Sequence, residues 1–123
     1  MEDSKKTQWE ALATLKEFNV KLLHALGGVI DELEGEEKED TWEYLDYIFK
    51  SMNWELQVIN GTLDLLNMNE NLIDKKNINA MIERVNIAYT GKKRGLLAQI
   101  ISGELIPFFD ELQKIINERF ANI

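Results

Sequence analysis

The stretch LHALGGVIDELEG, residues 23–35, decides the fold. It holds the only histidine of the chain, His24, and a pair of adjacent glycines, Gly27 and Gly28. Glycines can end a helix or merely weaken one. Here the apolar spacing passes through them: Leu12, Leu15, Asn19, Leu22, Leu26, Val29 and Leu33 recur at alternating steps of three and four, which is one face of an α-helix. The stripe predicts one long helix running to about Glu34, with the two glycines inside it at a cost of about 1 kcal/mol each relative to alanine. Thr7-Gln8-Trp9-Glu10 has capping-box spacing, which places the start near Ser4 or Thr7. Gly35 then closes the helix.

The same periodicity organises the rest of the chain. After an acidic turn, Asp40-Thr41-Trp42-Glu43 offers a second helix start, with acids at the positive end of the helix dipole. Leu45, Ile48, Met52, Leu56, Ile59, Leu63 and Leu66 form its main stripe, so this helix is expected over residues 41–67. Beside it runs a second column: Tyr44, Tyr47, Ser51, Trp54, Val58, Gly61 and Leu65. Residues 68–77, rich in asparagine, read as a connection with one helical turn at Asn71-Leu72-Ile73. Ile78, Met81, Ile82, Val85, Ala88 and Tyr89 mark a shorter third helix, residues 76–90, ended by Thr90-Gly91. Leu97, Ile101, Leu105, Phe108, Leu112 and Ile115, widened by Leu96, Ile100, Phe109, Ile116 and Phe120, mark a fourth, residues 93–120. Pro107 lies inside it and predicts a kink, eased by Ser102-Gly103. Short connections favour antiparallel neighbours. The expected fold is therefore all-α, one domain over residues 1–123, an antiparallel up-down four-helix bundle. In that arrangement the acidic first turn and the basic turn at Lys92-Lys93-Arg94 should meet at one end.

Composition narrows the function. The 123 residues have 45% hydrophobic content and a formal net charge of −8. That balance argues against nucleic acid or an anionic membrane as the main partner. There is no cysteine, which excludes disulfides, thiolate zinc sites and cysteine nucleophiles. No apolar stretch approaches the ~18 residues of a membrane span, and the start has no signal-peptide pattern. The reading is a cytoplasmic protein.

His24 falls in a column with Glu10, Thr14, Glu17, Lys21, Gly28 and Asp31, on the water side of its helix. One histidine cannot build a His-Glu-x-x-His zinc site, and Lys21 stands where a Glu-x-x-His di-iron ligand would be. No metal and no cofactor is expected. Tyr44, Tyr47, Trp54 and Val58 are the candidate interface, because large aromatics beside small Ser51 and Gly61 suit contact with another helix. The competing assignment is a helix of the same bundle. Surplus apolar surface on the fourth helix favours a symmetric homodimer.

Three resemblances bear on function. His24-Ala25-Leu26-Gly27-Gly28 resembles the H-x-L-K-G helix of histidine phosphotransfer domains. It implies His24 as phospho-acceptor, Leu26 as core anchor and Gly28 as clearance for a partner, with Gly27 standing where the family has its lysine. Glu43-Tyr44-Leu45-Asp46 is similar to the E-x-x-D element of all-α nucleotide pyrophosphohydrolases, which hold magnesium with such carboxylates. Glu32, Glu36 and Glu39 lie close by in sequence, but a second pair is not found. Leu96 to Phe109, LLAQIISGELIPFF, resembles the last-helix pattern LLADLLEYELIPLL of small uncharacterised bacterial helical proteins, with Gln99 and Gly103 among its departures, in place of Asp and Tyr. It implies an all-α bacterial protein and carries no site. The reading that emerges is a non-enzymatic protein–protein interaction module, a small adaptor or chaperone-like bundle. The alternatives are phosphotransfer through His24 and magnesium-dependent nucleotide hydrolysis.

Overall fold

Helix α1 spans Glu2–Glu34 without interruption in the computed structural model, which describes residues 2–68 and 70–121. Every member of its predicted stripe, Leu12 to Leu33, is buried, Asn19 included. Gly27 and Gly28 lie in mid-helix, exposed, and a Cβ on either would meet nothing within 4 Å. The helix begins before Thr7, so Thr7 is not its cap. Gly35 ends it, donating its N–H to the Asp31 carbonyl at 2.9 Å.

The other elements are α2 (Thr41–Gly61), α3 (Leu63–Asn67), α4 (Lys75–Thr90), α5 (Arg94–Ile100), a π-helical turn (Ile101–Leu105) and α6 (Ile106–Ala121). No strand occurs among the described residues, and no helix is long and apolar enough to cross a membrane. The fold is all-α.

Three local features depart from the periodic expectation. First, the 41–67 helix is broken at Thr62. Its hydroxyl donates to the Val58 carbonyl at 2.7 Å, and its N–H turns to Ile59 at 3.1 Å instead. The side chain thus takes the acceptor that the helical N–H would have used. Second, residues 71–73 form no helical turn. Asn67 holds this connection by pairing its amide with both backbone groups of Ile73, at 3.1 and 2.8 Å, and Ile73 is buried. Third, the Ile106 N–H donates to Ile101, five residues back, immediately before Pro107. In this wide turn Leu97, Ile101, Leu105 and Phe109 are all fully buried, whereas Phe108 is half-buried. Three successive steps of four would drift about 120° round a regular helix. The π turn absorbs that drift and brings Phe109, rather than Phe108, into the core.

Helix α1 is the shared element: it packs against α2, α5, the π turn and α6. Helix α4 packs against α5 and reaches α2 through Tyr89, whose ring meets Phe49 at 5.1 Å and Trp42 at 5.9 Å. Asn19 crosses from α1 to α6, donating to the Phe109 carbonyl and the Gln113 amide oxygen, both at 2.9 Å. The acidic and basic turns do meet. Arg94 donates to the Gly35 carbonyl at 2.6 Å and lies 3.3 Å from a Glu37 carboxylate oxygen. Its guanidinium supplies donors to the open end of α1, as Arg119 does for α3 through Leu65 and Leu66.

Candidate functional site: the groove between the first two helices

Two antiparallel helices joined by a short turn leave a groove along their outer seam. Here α1 contributes Phe18, Lys21, Leu22 and Ala25, and α2 contributes Tyr47, Ile48, Ser51, Trp54 and Glu55. Alternation of roles follows from helical spacing: Leu22 and Ile48 are on the buried stripes, and Phe18 and Tyr47 stand one position off them. The result is an apolar floor beneath an aromatic rim. Phe18 and Trp54 meet edge to face, ring centroids 5.4 Å apart. They are nevertheless 47% and 40% exposed, and Tyr47 is 68% exposed. The cavity between them is about 350 Å³, the size of a small-molecule pocket.

Its unusual member is Glu55, only 1% exposed. Its Oε1 is buried without a hydrogen-bond partner. Burial pushes its pKa up to about 8, because a carboxylate loses its hydration there. Glu55 is therefore mostly a neutral acid near neutral pH. Sequence reading passed over this residue. The signal was present: Thr41, Leu45, Ile48, Met52, Glu55, Ile59, Thr62 and Leu66 alternate steps of four and three, and all are buried. Glu55 occupies a core position of that stripe.

The candidate interface residues are divided by the fold. Tyr44, Tyr47 and Trp54 are exposed, and Val58 is half-buried against the core. Phe18 of α1 adds exposed apolar surface to the groove that the α2 column alone did not reveal. His24 is exposed, with Gly28 one turn on. Glu43 and Asp46 are exposed, and Asp46 is paired with Lys50 at 2.9 Å. Glu32 accepts a hydrogen bond from the Thr41 hydroxyl, at 3.0 Å. Among the described residues no three carboxylates or histidine gather as a metal site would require. A second exposed apolar patch, Ile87 and Leu96, lies where α4 meets α5, beside an Arg84–Glu104 ion pair.

The model of a family described as a domain of unknown function, DUF8042, matches residues 10–115. Neither a curated protein nor a solved structure gives a significant match. The matched span includes both helices of the groove.

Proposed function

This chain belongs to the DUF8042 family, and we propose that it is a non-enzymatic protein–protein interaction module of the adaptor or chaperone-like kind. The partner-binding face is the α1–α2 groove. One observation carries this reading: Phe18, Tyr47 and Trp54 stand exposed around one cavity although the chain has a well-filled core elsewhere. Exposed aromatics gathered around a concavity are the usual anchors of an interface. The proposal includes an up-down four-helix bundle bent at Pro107, in which α2 with α3 counts as one arm and α5 with α6 as another. The packing of α1 between α2 and α6, and the contact of Arg94 with Gly35, support that arrangement. It also includes a cytoplasmic bacterial protein that forms a homodimer through the second patch, Ile87 and Leu96.

Affinity capture from a bacterial lysate tests the interaction reading. Wild type should retain a protein that Trp54→Ala loses, with both variants equally folded by circular dichroism. Identical retention by the two would refute the groove as the binding face.

A further inference from the structure

The exposed rim accounts for an apolar partner but leaves the acid beneath it without a role. An apolar anchor would be served better by leucine or methionine at position 55, since burying a carboxyl without a hydrogen-bond partner costs stability. Glu55 is held there with Oε1 unpartnered, on the wall of an open cavity and 1% exposed. A carboxylate in such a place is completed by a positive charge. The rim is also suited to one: aromatic faces attract ammonium groups. The chain shows this within itself, because the Lys21 ammonium lies over the Phe18 ring, 5.2 Å from its centroid.

We propose that the α1–α2 groove is a binding site for an organic ammonium ion, its charged head on Glu55 and its apolar body between Tyr47 and Trp54. Ser51 lines the same wall and offers a hydroxyl to the head group. Of the other titratable groups lining the cavity, α1 supplies Lys21 and α2 supplies Tyr47. The neutral acid must ionise on binding. Its O–H bond breaks, the proton passes to the buffer, and the ammonium keeps its own protons. Because burial holds its pKa up at about 8 in the empty groove, uptake of a cation near pH 7 should release a proton. This inference shares the groove with the function proposed above, but it is tested on the isolated chain, without any protein partner. The two can therefore fail separately.

The experiment is isothermal titration at about pH 7 in phosphate and in MOPS, two buffers whose different ionisation enthalpies report proton release. The probes are phenethylammonium, as a free amine, and the N-acetyl, N-methylamide derivative of lysine, as a side chain carried on a peptide. Saturable binding of either, with release of close to one proton, is the expected result. Tighter binding of the first identifies a small-molecule ligand, and of the second a lysine on a partner. Glu55→Gln, of nearly the same shape, should weaken binding at least tenfold and abolish proton release. Phenethyl alcohol, lacking the charge, should bind at least tenfold more weakly than phenethylammonium. Absence of saturation by both ammonium probes at millimolar concentration would overturn the inference. So would equal affinity of wild type and a folded Glu55→Gln, or binding without proton release.

Discussion

At the scale of single residues, the groove is a compromise between stability and recognition, and Glu55 is where the cost is concentrated. Its pKa is raised from 4.5 to about 8, so the folded state holds a proton that the unfolded chain releases at lower pH. The sign follows directly: the contribution of Glu55 to stability falls as pH rises between about 4.5 and about 8, and is level on either side. Glu55→Gln should remove this slope. Urea unfolding at about pH 5 and about pH 9 checks it: the variant should gain about 2 kcal/mol or more over wild type at the higher pH and much less at the lower. An equal gain at both would mean that ionisation of Glu55 is not what destabilises the chain. A polar residue on a core stripe is easily passed over when apolar letters alone are followed. Leu56 beside it offers a path of apolar letters alone, and the helix buries both residues.

At the scale of elements, much was legible because helical spacing survives local insult. The α1 stripe runs through Gly27-Gly28, and the helix does the same. Those glycines are exposed, with open space where a Cβ would go. Gly27→Ala and Gly28→Ala should each stabilise the chain by about 0.5–1 kcal/mol, measured as a rise in thermal midpoint. Destabilisation by either would mean that the added methyl group meets a neighbour, against the open space around both glycines. The breaks were harder to read. Thr62 ends α2 because its hydroxyl competes for a backbone acceptor, and threonine does this only where its rotamer and neighbours allow it. Asn67 organises its loop by reaching six residues ahead to Ile73, a pairing no periodic pattern encodes. The π turn, by contrast, left a trace. Leu97, Ile101, Leu105 and Phe109 are spaced by four throughout, which a regular helix cannot keep on one face. Following Phe108 instead of Phe109 restored a regular rhythm and concealed the trace.

At the scale of the whole molecule, the exposed apolar surfaces among the described residues include the aromatic groove and the Ile87–Leu96 patch. They lie on different element pairs, so one can be covered while the other stays open. The homodimer proposed through the second patch gives a definite expectation. Light scattering at tens of micromolar should report about twice the 14.3 kDa chain mass, and Ile87→Asp with Leu96→Asp should return it to the monomer value without unfolding it. A wild-type mass near 14.3 kDa would remove the dimer and leave the groove untouched. The net charge of −8 opposes self-association at long range, so the dimer fraction should rise with salt, which screens that repulsion over a Debye length of about 8 Å at physiological strength.

The bond from Asn19 to the Phe109 carbonyl spans 90 positions of the chain, and it has a consequence for how the protein is made. Translation produces α1 before α6. One side of α1 can be covered by α2 soon after both have left the ribosome. The side around Asn19 has its acceptors on a helix not yet synthesised. Until α6 emerges, a buried amide and the leucines around it face solvent or a chaperone. The groove helices can therefore pair early, while the core beneath them closes only with the final helix.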